Sequence, residues 1–307
     1  MTTPSSATVP KKIKIGIQPT GWTNDDFPEI GNATPYQQIL DETALAGYAG
    51  GSTGHNYPTH LPSLQHALAT RKLGITSTWV GTSFTAPGGF EQTMNYVQEQ
   101  ITFLKAVGAT DIVVAELAGA VNQVKYKSVL ADRPIFNGPQ WYLLKEGLNA
   151  AGKLARDNGM RLSFHPHVGT GVEIRPEIDL LMAGTDPKFV YLCLDTGHLY
   201  FSGVDPMAVT TTYAGRIGHV HLKNVRGAVA DKAVPGLYSF YQAIQDGIFT
   251  VPGDPEGAVD LAPILKVLLD HNFEGWLVVE AEQNPAKAPP LACAKRAREY
   301  IRKVTGL

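Results

Sequence analysis

Eight short apolar runs, separated by longer stretches with helical periodicity, constrain this chain more than any other feature of its sequence. The runs fall at 13–18, 47–53, 75–80, 111–116, 161–167, 190–195, 217–224 and 276–282. Between them, the stretches 35–46, 61–73, 91–107, 140–157, 176–182 and 261–271 read as amphipathic helices. Buried strands alternating with helices pair in parallel through right-handed crossovers, so the chain is expected to be α/β. A doubly wound open sheet alternates too, but with fewer strands and a glycine-rich first turn. Here the first run leads into Pro19-Thr-Gly-Trp22, with no G-x-G-x-x-G. The pattern therefore predicts a single closed (β/α)₈ TIM barrel over residues 11–307, preceded by a flexible N-terminus at 1–10.

Four helix-to-strand joints look alike: Ala46-Gly47-Tyr48, Leu73-Gly74-Ile75, Val107-Gly108-Ala109 and Asn158-Gly159-Met160. A glycine just past a helix takes the left-handed conformation that ends it. One connection is long, 226–257, and rich in Gly, Pro and aromatics. It is read as a lid loop over one end of the barrel. A formal net charge of -2 gives no polyanion footprint, so nucleic acid is not an expected partner. No run has the length of a membrane span, and 1–10 lacks the apolar core of a signal peptide. Cys193 and Cys293 sit in no metal-binding or redox spacing and read as reduced thiols of a cytoplasmic protein.

The ionisable residues are not scattered. They collect where strands end: Glu116 on the fourth run, His165 and His167 on the fifth, Asp195 and then His198 on the sixth. His219, His221 and Lys223 follow on the seventh, and Glu280 and Glu282 on the eighth. Barrel active sites form at that end, because side chains from several strands converge there. Crowding uncompensated carboxylates and imidazoles into one mouth costs several kcal/mol for each, and a shared cation removes that cost. Alternation puts His219 and His221 on one side of their strand, and Glu280 and Glu282 on one side of theirs, separated by depth. Mixed carboxylate and imidazole ligation suits Mn²⁺ first, with Co²⁺, Fe²⁺, Zn²⁺ or Mg²⁺ as the other candidates.

Several segments, taken in order, resemble the xylose isomerase-like sugar isomerase and epimerase superfamily, and within it the inosose (2-keto-myo-inositol) dehydratases. They are GIQPTGWTNDDFPEIG at 16–31, FHPHVGTGVE at 164–173, LMAGTDP at 181–187, LDTGH at 194–198, HVHLKN at 219–224, FTVPGD at 249–254 and VVEAEQNP at 278–285. The resemblance implies a divalent metal held by one residue from each of the fifth to eighth strands: His167, Asp195, His221 and Glu280. Many relatives place Glu where His167 stands, so His165 or Glu116 is the alternative first ligand. On the second strand this chain has Gly50-Gly51-Ser52, where the resembling dehydratases carry Gly-Thr-Glu.

The implied reaction acts on a small keto-cyclitol or 3-keto-sugar. With a carbonyl polarised by the metal, a base removes the adjacent proton and an acid assists loss of the β-oxygen group. His165, Glu116, Glu282 and His198 are the candidates for those roles. Trp22 and Trp79 are read as a flat wall for a ring, Asn24, Asp25 and Asp26 as hydroxyl contacts, and Lys223 as a hydroxylate contact. Three other readings stay open. One is isomerisation or epimerisation of a ketose on the same site, with 3-keto glycoside cleavage beside a small partner subunit as a variant of the lyase. Another is metal-dependent DNA repair, supported only by His55 and His60 and opposed by the charge balance. The last is a non-catalytic sugar-binding barrel. Association into a homo-oligomer is compatible with any of them.

Overall fold

The first strand, β1 (Ile13–Ile17), pairs in parallel with the last, β11 (Gly275–Val279), Ile13 opposite Gly275 and Ile17 opposite Val279. That pairing curls the sheet back on itself in the computed structural model, which describes residues 13–307. The expected flexible terminus at 1–10 lies outside the described residues. The other strands of this sheet are β2 (Gly50–Gly51), β3 (Gly74–Ile75), β4 (Trp79–Thr82), β5 (Asp111–Glu116), β6 (Arg161–Phe164), β7 (Val190–Asp195) and β8 (Ile217–Leu222). Their order is β3-β2-β1-β11-β8-β7-β6-β5-β4, with every ladder parallel.

The two ends of that order, β3 and β4, are halves of one barrel strand. Between them, the Thr76 N–H donates to the Gly51 carbonyl on one side, and the Thr78 carbonyl accepts from the Val113 N–H on the other. The barrel closes through this segment, with hydroxyl pairs Ser52–Thr76 and Thr53–Thr78 beside it at 2.9 and 3.2 Å. The expected third strand, 75–80, is thus present but interrupted.

Helices pack outside the sheet for the reason their spacing suggests. The helix Leu261–Asp270 buries Leu261, Ile264, Leu265 and Leu268, one stripe of its surface. The helix Gly138–Asp157 begins with a reciprocal cap between Asn137 and Gln140 and buries Leu144, Leu148, Ala151 and Ala155. Gly47, Gly108 and Gly159 end helices with φ of 83°, 73° and 75°. At the remaining joint Lys72 carries the left-handed turn (φ 56°), and Gly74 has passed into β3.

The segment 226–257 is folded. It contains the helices Gly227–Ala233 and Phe240–Gln245, and β10 (Phe249–Thr250) pairs antiparallel with β9 (Asn224–Val225). Arg226 ties its ends together, donating to the carbonyls of Gly247 and Phe249 and to the carboxylates of Asp254 and Glu256. Among the described residues no helix is long and apolar enough to cross a membrane. Both cysteines are unpaired.

Candidate active site

The C-terminal ends of β6, β7, β8 and β11 bring four side chains to one centre. One ligand atom from each of His165, Asp195, His221 and Glu280 lies within 4.8 Å of the others, and all four residues are buried. Asp195 Oδ2 is the hub, 3.3 Å from His165 Nε2 and 3.5 Å from His221 Nδ1. Its Oδ1 is engaged elsewhere: it caps the helix Thr196–Phe201, accepting from the backbone N–H of Gly197 and His198 at 2.9 and 2.8 Å. The cap fixes the carboxylate so that only Oδ2 faces the centre.

His221 Nδ1 and Glu280 Oε2 stand 2.5 Å apart as an ion pair, but neither is in hydrogen-bonding geometry. A buried polar atom without a hydrogen bond costs about 1–3 kcal/mol. Two such atoms aimed at the same space fit a shared cation, which would satisfy both. Two imidazoles and two carboxylates form a donor set for a divalent ion of the Mn²⁺ to Zn²⁺ series.

The geometry joins His165, not His167, to Asp195, His221 and Glu280. The reason lies in the backbone. β6 ends at Phe164, the His165 N–H still bonds the Val114 carbonyl, and Pro166 then ends the ladder. His167 therefore belongs to the following turn, its N–H directed at Val172 and its Nδ1–H donating to the Val168 carbonyl at 2.7 Å. That bond leaves Nε2 as the acceptor nitrogen. The ring stacks on His198, with 3.9 Å between centroids. Burial, and then the fields of His198, His165 and Lys223, hold the His167 pKa well below the ordinary histidine value.

His167, His198 and Glu282 form a second acid–imidazole group. Its middle is taken by Lys223, whose Nζ lies 2.8 Å from both His198 Nε2 and Glu282 Oε1 and 3.1 Å from Asp195 Oδ2. Burial opposes charge on this lysine, but the fields of Asp195, Glu280 and Glu282 raise its pKa above the ordinary value. An ammonium there leaves no place for a second cation.

A pocket opens onto the first group. Gln18, His165, His167, His221, Glu280 and Glu282 line it on one part of its wall. Trp79, the hydroxyl residues Ser52, Thr53 and Ser77, and the loop residues Asn24, Asp25 and Asp26 line the rest. Trp79 meets His165 and His167 edge to face, at 5.3 and 5.6 Å between centroids. Asn24 Oδ1 accepts from the Phe27 N–H, forming the turn, while its buried Nδ2 has no partner.

Four expected site residues lie elsewhere. Trp22 is buried in the core and donates its indole N–H to Glu42 at 2.6 Å, so it is no wall for a ring. Glu116 is not available as a catalyst. Its carboxylate accepts from the Thr82 hydroxyl, the Phe84 N–H, and both the N–H and the hydroxyl of Thr85. Lys223, expected as a hydroxylate contact, is fully buried under the cluster, which removes it from direct contact with a substrate. His198 sits behind His167, against Phe240 and Phe249 at 5.8 and 5.3 Å. Gln18 was missed, although it ends a strand as the others do; its Nε2 lies 3.3 Å from His221 Nε2.

The model of the xylose isomerase-like TIM barrel family matches residues 40–304. The chain belongs to that family. Within the xylose isomerase-like family it is 44% identical over 296 residues to an inosose dehydratase of Clostridium beijerinckii, covering 96% of this chain and 98% of that one. The inosose dehydratase of Geobacillus thermodenitrificans gives the same identity and coverage. Among solved structures, the zinc-bound IOLI protein superposes with a TM-score of 0.70 at 15% identity, covering 95% of this chain and 98% of that one. At that identity the likeness speaks for the xylose isomerase-like fold alone.

Proposed function

We propose that this protein is a metal-dependent carbon–oxygen lyase that dehydrates an uncharged keto-cyclitol of the inosose type. The observation that carries the reading is the convergence of His165, Asp195, His221 and Glu280 on one centre at the base of the pocket, with lone pairs free of hydrogen bonds facing it. The near-full-length likeness to inosose dehydratases supports the substrate class. So does the charge of the pocket: its lining holds Asp25, Asp26, Glu280 and Glu282 and neither Lys nor Arg. A phosphate or carboxylate on the substrate would meet repulsion there, whereas a neutral polyol meets hydrogen-bonding groups.

A divalent ion held by these four residues supplies Lewis-acid polarisation of a carbonyl. Manganese is our choice among the ions that the donor set accepts, and the IOLI protein, similar in fold, binds zinc. Trp79 offers an apolar face to the ring, and the free Asn24 Nδ2 and the hydroxyls of Ser52, Thr53 and Ser77 meet its hydroxyl groups. His167 Nε2 accepts from a substrate hydroxyl. Glu282 takes the proton next to the carbonyl: Lys223 anchors its Oε1, and its Oε2 has no partner. Phe240 and Phe249 keep the histidine pair dry. The unpaired cysteines fit a cytoplasmic location.

The test is incubation of Mn²⁺-loaded protein with 2-keto-myo-inositol, followed by mass spectrometry of the product. Loss of one water is expected. A product of unchanged mass would replace dehydration by isomerisation, and no conversion with or without added metal would reject the enzyme reading.

A further inference from the structure

We infer that Asp26 is the proton donor to the departing hydroxyl group in this pocket, an assignment that rests on the dehydration proposed above. The loop after β1 and the loop after β11 are neighbours, joined where the Gln283 N–H donates to the Thr20 carbonyl. Each carries two pocket carboxylates, Asp25 and Asp26 on the first and Glu280 and Glu282 on the second.

What separates Asp26 from Asp25 and Glu282 is the kind of group that holds it: neutral amides, where Asp25 has an imidazole and Glu282 an ammonium. Asp26 Oδ1 alone is held, by the side-chain amides of Gln123 at 2.9 Å and Asn122 at 3.3 Å. Among the described residues no donor reaches Oδ2. Neighbouring Asp25 is paired with His55, whose N–H and Nδ1 both lie on its Oδ1, at 3.1 and 2.7 Å. Neither of the Asp26 hydrogen bonds involves the four converging ligand residues. The amide pair orients the carboxyl as a hinge would, with Oδ2 left for a ligand.

The charged groups whose fields reach Asp26 are the carboxylates of Glu282 and Asp25. Burial first, opposed by Gln123 and reinforced by those two anions, raises its pKa from 3.8 to about 6. Glu282 and Asp26 then divide the work, one as base and the other as acid. Glu282 takes the proton beside the carbonyl, and that C–H electron pair becomes the new C=C bond. The C–O bond breaks with its pair on oxygen, which takes the Asp26 proton and leaves as water. Exchange of one proton with solvent resets the two acids.

The test compares Mn²⁺-loaded wild-type protein with Asp26→Asn and Asp26→Glu on 2-keto-myo-inositol. Dehydration rate is followed against pH, and exchange of the hydrogen beside the carbonyl with deuterated water by NMR. Asp26→Asn is expected to lower the dehydration kcat about 10²-fold or more while exchange persists. The alkaline fall in wild-type kcat, set by loss of the Asp26 proton, should vanish with it, and Asp26→Glu should recover part of the rate. Unchanged kcat and pH profile in Asp26→Asn would overturn the assignment alone, as would parallel loss of exchange and dehydration. No dehydration by the wild-type protein would overturn it together with the proposed function.

Discussion

Gly197 lies directly against the stem of Lys223: a Cβ at position 197 would come within 2.4 Å of Lys223 Cγ and 2.6 Å of its Cδ. The glycine of the LDTGH segment is therefore a spacing device for the lysine that follows β8. It lets the ammonium reach Asp195, His198 and Glu282 from below, and so holds three of the site's polar side chains in place.

Gly197→Ala is accordingly expected to displace Lys223 and disturb the cluster above it. Overpacking of this kind costs about 1–3 kcal/mol. Thermal unfolding should show a lowered Tm, and Mn²⁺ titration a weaker affinity. Wild-type Tm and affinity in the variant would mean that the lysine stem is free to move aside.

Glu116 is a structural residue on this account, and its substitution should separate stability from chemistry. Glu116→Ala strands the donors of Thr82, Phe84 and Thr85 in a buried site. The loss is expected to reach ~3 kcal/mol or more in denaturant unfolding. The kcat of the remaining folded protein should stay within about threefold of wild type. A tenfold or larger fall in kcat with stability intact would return Glu116 to the catalytic set.

The barrel and the end of it that carries the chemistry were legible because β5, β7 and β8 are buried, except at half-buried Tyr191, and read as largely apolar runs closed by acids and imidazoles. Other parts were not. The strand rule of alternation treats His165 and His167 as equivalent, but it holds only while the ladder lasts, and Pro166 ends the ladder between them. The helices within 226–257 span seven and six residues, too short for periodicity to register. Glu116 and Lys223 have the right position and chemistry for a site, yet hydrogen bonds to residues distant in sequence consume both, and no local pattern reveals such partners. Asp26 sat in a plausible turn motif, and only the amides of Asn122 and Gln123, nearly a hundred residues on, set its carboxyl apart.

Glu173 should contribute a pH dependence of stability. Burial raises its carboxyl from 4.5 to about 8 against the pull of the Gly169 N–H and Arg133. The folded state thus favours the protonated acid, so its contribution is complete below pH 4.5 and is lost as pH rises through about 8. The expected size is a few kcal/mol. Unfolding measured from pH 5 to pH 8 should show a decline that is flattened in Glu173→Gln. Equal slopes in the two proteins would contradict the shift.

Most directly, the account requires one divalent ion bound by His165, Asp195, His221 and Glu280, with His167 outside the set. Mn²⁺ binding isotherms of wild type, His165→Ala and His167→Ala address this without any substrate. The prediction is one ion in the wild-type protein, an affinity lowered about a hundredfold or more in His165→Ala, and retention within about tenfold in His167→Ala. Loss of the ion in His167→Ala with tight binding kept in His165→Ala would contradict the central assignment.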